Sequence, residues 1–145
     1  MILTVEMDLS VPVTAVEPFI GDLTAYPRWM GLVHAVSPAD EHGGHRVELR
    51  GKLGPFARSK MLRMVRVEDP ECIRFERREL DGRGHGRWEL RASLTPVGTD
   101  GDMLTHLSMT LRYEGRLWSA VVEKILSEEI EQAKERLSTL VGSTG

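Results

Sequence analysis

The sequence holds one cysteine, Cys72, in 145 residues. No intramolecular disulfide can form, and no cysteine-based zinc pattern exists. Reducing surroundings, and so a cytoplasmic location, are expected. Charge of one sign is also scarce, since 19 basic and 22 acidic residues leave a net charge of −3. No strong field draws the chain to nucleic acid or to an acidic membrane. Long apolar runs are missing. The start, MILTVEMDLS, has no basic region and is interrupted by Thr4, Glu6 and Asp8. Neither a secretory leader nor membrane insertion is expected. The five histidines, at 34, 42, 45, 85 and 106, are scattered without metal-ligand spacing. Ser59, Ser93 and Ser108 have no positioned histidine and acid to form a triad. GRGHGR, residues 82–87, sits between two strand-like segments and opens no helix, so a phosphate loop fails on context. No metal and no cofactor are expected.

What remains is an ordinary globular balance, 41% hydrophobic and 28% charged, at a length that suits one domain over 1–145. ILTVEMDL alternates, with Leu3, Val5, Met7 and Leu9 on one face, and reads as a half-buried strand. Ser10 reads as an N-cap, with Pro12 near the first turn of a short helix through VTAVEPFI that Pro18 kinks or divides. DLTAYPRWM reads as a second short helical piece, capped by Asp22 and broken around Pro27. Six strand-like segments follow from about Leu32, separated by short turns, as consecutive antiparallel hairpins require. The clearest faces are Trp88, Leu90, Ala92 and Leu94 on one strand and Leu107, Met109, Leu111 and Tyr113 on the next. The C-terminal segment carries Trp118, Val122, Ile125, Leu126, Ala133, Leu137 and Leu140 as a helical stripe that covers the sheet's dry face.

The order is therefore strand, two short helices, six strands and one long helix. At the helix-to-strand junction stand Phe19, Asp22, Tyr26, Pro27, Trp29, Val33 and Val36. This order and this motif resemble the polyketide cyclase/dehydrase and lipid-transport superfamily (START-like, SRPBCC) over essentially the whole chain. The resemblance implies an α+β helix-grip fold, a curved antiparallel sheet of about seven strands wrapped around the C-terminal helix. It also implies an apolar cavity between sheet and helix, closed at one end by the short helices, with a hydrophobic ligand inside.

Candidate ligand-binding residues are Trp29, Phe75, Trp88, Leu90, Met109, Leu111, Tyr113, Val122 and Leu126. Trp29 and Tyr26 either wedge the short helices against the sheet or stand at the cavity entrance. Met61, Met64 and Met109 suit an adaptable lining. Arg63 and Arg77 are the possible polar anchors. Arg63 points inward only if Met61 and Val65 do, and Leu62 and Met64 compete for that face; buried, it needs a carboxylate such as Glu48 or Glu79, or a ligand anion. The expected function is binding or carriage of a small hydrophobic molecule, a lipid, polyketide or aromatic compound. One alternative is a cyclase, aromatase or dehydratase that uses the same cavity. Another is a co-chaperone-like interaction module that works through its outer surface. Monomer and homodimer both remain open.

Overall fold

A computed structural model of the protein describes residues 2–53, 55–98, 104–114 and 116–143, without the side chains at 52, 53, 56, 116–122, 125–130 and 143. β1 (Ile2–Leu9) leads through α1 (Val13–Ile20) and a 3-10 helix (Leu23–Arg28) into β2 (Val33–Val36). β3 (Gly44–Leu53), β4 (Phe56–Val67), β5 (Ile73–Arg77), β6 (Trp88–Val97) and β7 (Leu104–Tyr113) follow, and α2 spans Arg116–Ser143. The strands form one curved antiparallel sheet in the order β1-β7-β6-β5-β4-β3-β2. This is the helix-grip architecture the sequence leads one to expect. β1 and β2 occupy opposite edges of the sheet, so the 23 residues from Ser10 to Leu32 carry the chain from one edge to the other.

That crossing departs from the sequence reading in its details. Ser10 does not cap α1. Pro12, extended at φ −71° and ψ 161°, takes the cap position and makes no side-chain capping bond. Pro18 does not divide α1, which continues to Ile20. In a helix of eight residues its missing N–H forfeits a single intrahelical bond. Asp22 does cap the next element, accepting from the Thr24 backbone N–H at 3.0 Å, and the 3-10 helix runs through Pro27 to Arg28.

Period-two alternation sorts the sheet into two faces. Residues paired across an antiparallel ladder share a face, so Val47 with Leu62, and Leu90 with Leu111, face the helices together. Leu137 and Val141 of α2 are buried in the same core as Val16 and Ile20 of α1. Met61 falls on the other side, 44% exposed, and is not a lining residue.

Arg63 is the larger correction. Leu62 and Met64 take the inner face, which turns Arg63 outward, yet it is only 5% exposed. Its Nε and Nη2 donate to the two carboxylate oxygens of Asp40 at 2.8 and 3.0 Å, and Nη1 donates to the Arg78 carbonyl at 2.8 Å. Asp40 also receives the backbone N–H groups of His42 and Gly44, both at 2.9 Å. Its carboxyl is held well below the usual range, first by Arg63 and then by these N–H groups. One bidentate pair thus ties the β2–β3 turn to β4 and to the end of β5. Gly44 is part of this device, because a Cβ there would collide with the Arg63 guanidinium. Glu79, suggested as a side-chain partner, instead accepts the Arg63 backbone N–H at 3.1 Å.

A second outer-face feature was not legible. Glu89 belongs to the polar face of β6, yet it is 1% exposed. Arg91 and Arg87 donate to it at 2.7 and 2.8 Å, and Arg74 Nε stands 3.4 Å away. Burial works against its charge, but the hydrogen bonds from Arg87 and Arg91 win and hold the carboxyl below its usual value.

Two outcomes are expected. Gly44→Ala should lower stability by ~1–3 kcal/mol in chemical denaturation, because the displaced guanidinium is locked to Asp40 and has no free rotamer to take up. An unchanged midpoint would show that the pair tolerates displacement. His106, on β7, bonds Asp8 of β1 at 2.7 Å and stands 3.5 Å from Glu6, which raises its pKa above the usual histidine value. A raised folded-state pKa stabilises fully below the unfolded value of about 6.5 and ceases to do so as pH rises through the folded value. The melting-temperature difference between wild type and His106→Asn should therefore be largest near pH 5.5 and shrink towards pH 9; a difference that grows with pH would contradict the assignment.

Candidate functional site

Between the inner face of the sheet and α2 lies an apolar cavity of about 100 Å³. β1 contributes Leu3, Val5 and Met7, and β7 contributes Leu107, Met109 and Leu111. Val47 and Leu49 of β3 and Leu62 and Met64 of β4 form the opposite side, with Trp88 and Leu90 of β6 between. The bridge between the sheet's edges supplies Leu23, Tyr26, Trp29, Met30 and Leu32, and β2 adds Val33 at its start. α2 supplies Ala133 and Lys134. Five strands thus present alternate residues to one void, and the crossing segment closes its end.

The polar atoms on this wall are mostly committed elsewhere. Tyr26 is fully buried and donates its hydroxyl to the Ile20 carbonyl at 2.8 Å. Burial pushes its pKa far above the usual tyrosine range, so it holds its proton at any ordinary pH. Trp29 donates Nε1–H to the Phe19 carbonyl at 3.2 Å and packs on Tyr26 with ring centroids 5.0 Å apart. It wedges and lines at once, and it is buried rather than standing at an entrance. Lys134 lends its stem to the wall while its ammonium lies 3.5 Å from Glu131.

Of the residues named from sequence, Trp29, Trp88, Leu90, Met109 and Leu111 line the cavity. Phe75 and Tyr113 are buried but do not line it. Phe75 meets Tyr26 edge-on at 6.2 Å, and Tyr113 stacks on Trp88 at 5.2 Å. Both share the inner face, and alternation reports face without reporting which part of it is hollow. The side chains of Val122 and Leu126 lie outside the described residues. Arg63 is on the opposite face.

Arg77 is on the inner face, across from Met64, but it is not part of the wall. It donates to Glu79 at 3.0 Å and to the Gly86 carbonyl at 3.2 Å, and stands 3.4 Å from His85 Nδ1. His85 Nε2 in turn meets Asp81 at 2.8 Å. Lys60, across from Leu49, shares this face. Burial first, and then the neighbouring Arg77 charge, lower its pKa from the usual lysine value. Among the described residues no group of histidine, cysteine or acidic side chains could hold a metal ion, and no helix is long and apolar enough to cross a membrane.

The family described as polyketide cyclase / dehydrase and lipid transport matches residues 2–142. The chain belongs to this family. No curated protein matches it. A START superfamily protein from Mycobacterium smegmatis superposes with a TM-score of 0.70 at 17% identity, covering 99% of each chain. A Thermus thermophilus protein gives 0.68 at 18% identity, covering 100% of this chain and 99% of its own. The Zhui aromatase/cyclase from Streptomyces gives 0.55 at 16% identity, covering 97% and 90%. At these identities the likeness shows the fold and leaves the chemistry to the wall itself.

Leu90 and Met109 test the void directly. In a filled core, Leu90→Trp or Met109→Trp would strain the packing by roughly 1–3 kcal/mol. Here the added ring has space to occupy, so thermal unfolding of both variants should stay close to wild type while binding of an apolar fluorescent probe is lost. Early unfolding of both variants, with no probe binding by wild type, would mean that the void does not accept a guest.

Proposed function

We propose that the protein binds or carries a small hydrophobic molecule, of lipid, polyketide or aromatic type, in the cavity between sheet and C-terminal helix. The character of the wall supports this most strongly. It is lined by aliphatic, methionine and aromatic side chains, and the tyrosine within it holds its proton. General acid–base work needs a group whose pKa lies near the working pH and within reach of the substrate. Among the described residues the wall offers mainly binding surface, its one charged side chain being Lys134, whose ammonium lies 3.5 Å from Glu131.

Trp29, Trp88, Leu90, Met109 and Leu111 are the contact residues in this reading. Phe75 and Tyr113 back them, and Val122 and Leu126 join on the strength of the helical stripe alone. Arg77, on the inner face outside the wall, is the candidate polar anchor in this reading. Met7, Met30, Met64 and Met109 give the wall unbranched, adaptable side chains that suit guests of more than one shape. A void of this volume takes a ring-sized fragment, so a larger guest requires the wall to yield.

One observation favours a second reading, a cyclase, aromatase or dehydratase. Lys60, Arg77, Glu79 and His85 gather at one end of the inner face, where they could polarise a carbonyl that reaches out of the cavity.

Native mass spectrometry of protein isolated gently from its own host separates these. The carrier reading expects one apolar small molecule per chain, retained under native conditions and lost on denaturation. Conversion of a poly-β-keto compound by the purified protein, abolished by Arg77→Met, would favour the enzyme. Absence of any adduct, together with no uptake of apolar probes, would end both.

A further inference from the structure

We propose that Trp88 is the polar anchor of the cavity, and that the ligand it selects carries a neutral carbonyl oxygen, as in a ketone or ester, on an otherwise apolar body. The proposal rests on the ligand-binding reading above and adds to it what the ligand must contain.

Trp88 lines the cavity and is 2% exposed. Its Nε1 is sealed from solvent and has no hydrogen-bond partner. A buried N–H without an acceptor is rare in native proteins, because its lost hydration is not compensated. The other aromatic donors of the wall differ. Trp29 Nε1 is satisfied by Phe19 and the Tyr26 hydroxyl by Ile20. The other unpartnered buried side-chain atom among the described residues, Arg74 Nε, has a Glu89 oxygen 3.4 Å away and belongs to the outer face. Trp88 is thus the one wall donor left without an acceptor.

A water molecule does not meet the need. An ordered buried water takes two to four polar partners, and among the described residues the wall offers Trp88 in an apolar surround, with the Lys134 ammonium turned to Glu131. An acceptor attached to an apolar body arrives with its own burial to stabilise it. The acceptor must also be neutral. A carboxylate would enter apolar surroundings with one N–H against a full charge, because the wall's cation among the described residues, Lys134, has its ammonium 3.5 Å from Glu131, and Arg77 and Lys60 lie outside the wall. A hydroxyl would satisfy Trp88 but bring a hydrogen that itself lacks an acceptor. A carbonyl oxygen accepts without donating. The indole is also held in place: it stacks on Tyr113 with the rings 29° apart, and β6 is paired on both sides. An acceptor therefore meets a donor that is already oriented.

Ethylbenzene and acetophenone test this, since both suit a ring-sized void and differ chiefly by the carbonyl. Calorimetric titration should show that Trp88→Phe weakens acetophenone roughly five- to tenfold, the worth of one hydrogen bond, and moves ethylbenzene less than twofold. In wild type with ¹⁵N-labelled indoles, acetophenone should shift the Trp88 Nε1–H resonance downfield, and ethylbenzene should not. The Trp29 resonance, already bonded to Phe19, should stay in place under both. This measurement stands by itself if the variant does not fold. If both compounds bind but the variant weakens them equally, or the Trp88 resonance ignores the carbonyl, the anchor is refuted and the cavity reading survives. If benzoate binds more tightly than acetophenone, neutrality of the acceptor is refuted. If neither compound binds wild type, the anchor and the cavity reading fall together.

Discussion

Two side-chain hydrogen bonds hold the segment on which the cavity depends. Tyr26 reaches back to the Ile20 carbonyl and Trp29 to the Phe19 carbonyl. These carbonyls belong to the last turn of α1, where intrahelical partners run out. The two aromatic rings thus cap the helix's C-terminus and, by the same contacts, bend the chain inward between the sheet's two edges. A sheet of seven strands with unjoined edges cannot enclose space by pairing alone. It becomes a container only because this bridge lies across its open end and presents Leu23, Met30 and Leu32 to the hollow beside the aromatics.

The outer face obeys a different economy. It is polar, as a sheet covered on one side requires, but its charges are arranged rather than merely solvated. Asp40 closes a turn and clamps Arg63, while Glu89 is sunk beneath Arg87 and Arg91. Arg74 also bonds Glu76, which in turn meets Arg78. A buried carboxylate among arginines contributes little net stability over an apolar substitute, yet losing one partner is costly because the remaining charge is stranded. Such pairs restrict which strand lies beside which. They favour one register over slips that alternation alone would permit.

The architecture was legible because its signal is long-range and redundant. β6 and β7 alternate without exception over most of their lengths, and α2 repeats its stripe for several turns. The phase of β4 was not legible, and the reason is specific. Met61 and Val65 make one apolar face, Leu62 and Met64 make another, and both readings satisfy the pattern. Asp40 decides between them, 23 residues away in a turn, by accepting Arg63 outside the sheet. Glu89 was hidden for a similar reason, since its burial comes from neighbouring arginines and not from its own strand. Phe75 and Tyr113 mark a further limit. A sequence pattern reports which way a side chain points, but whether it meets a void or another ring is settled by three-dimensional volume. Ser10 and Pro18 show how weak single-residue signals become when a proline occupies the cap and the helix is only two turns long.

The hollow has a thermodynamic meaning of its own. Close-packed interiors gain from every dispersion contact, and an empty apolar space of about 100 Å³ forgoes on the order of 2 kcal/mol of that cohesion. Against a total folding free energy of about 5–15 kcal/mol, this is a sizeable share left unrealised. Any guest that fills the space adds the missing contacts to the folded state and to no other, so occupancy and resistance to unfolding are linked by mass action. If the cavity takes a guest, the empty chain would be the form more exposed to proteolysis and the filled chain the form that persists. Cellular abundance would then track the supply of the guest without any dedicated sensor.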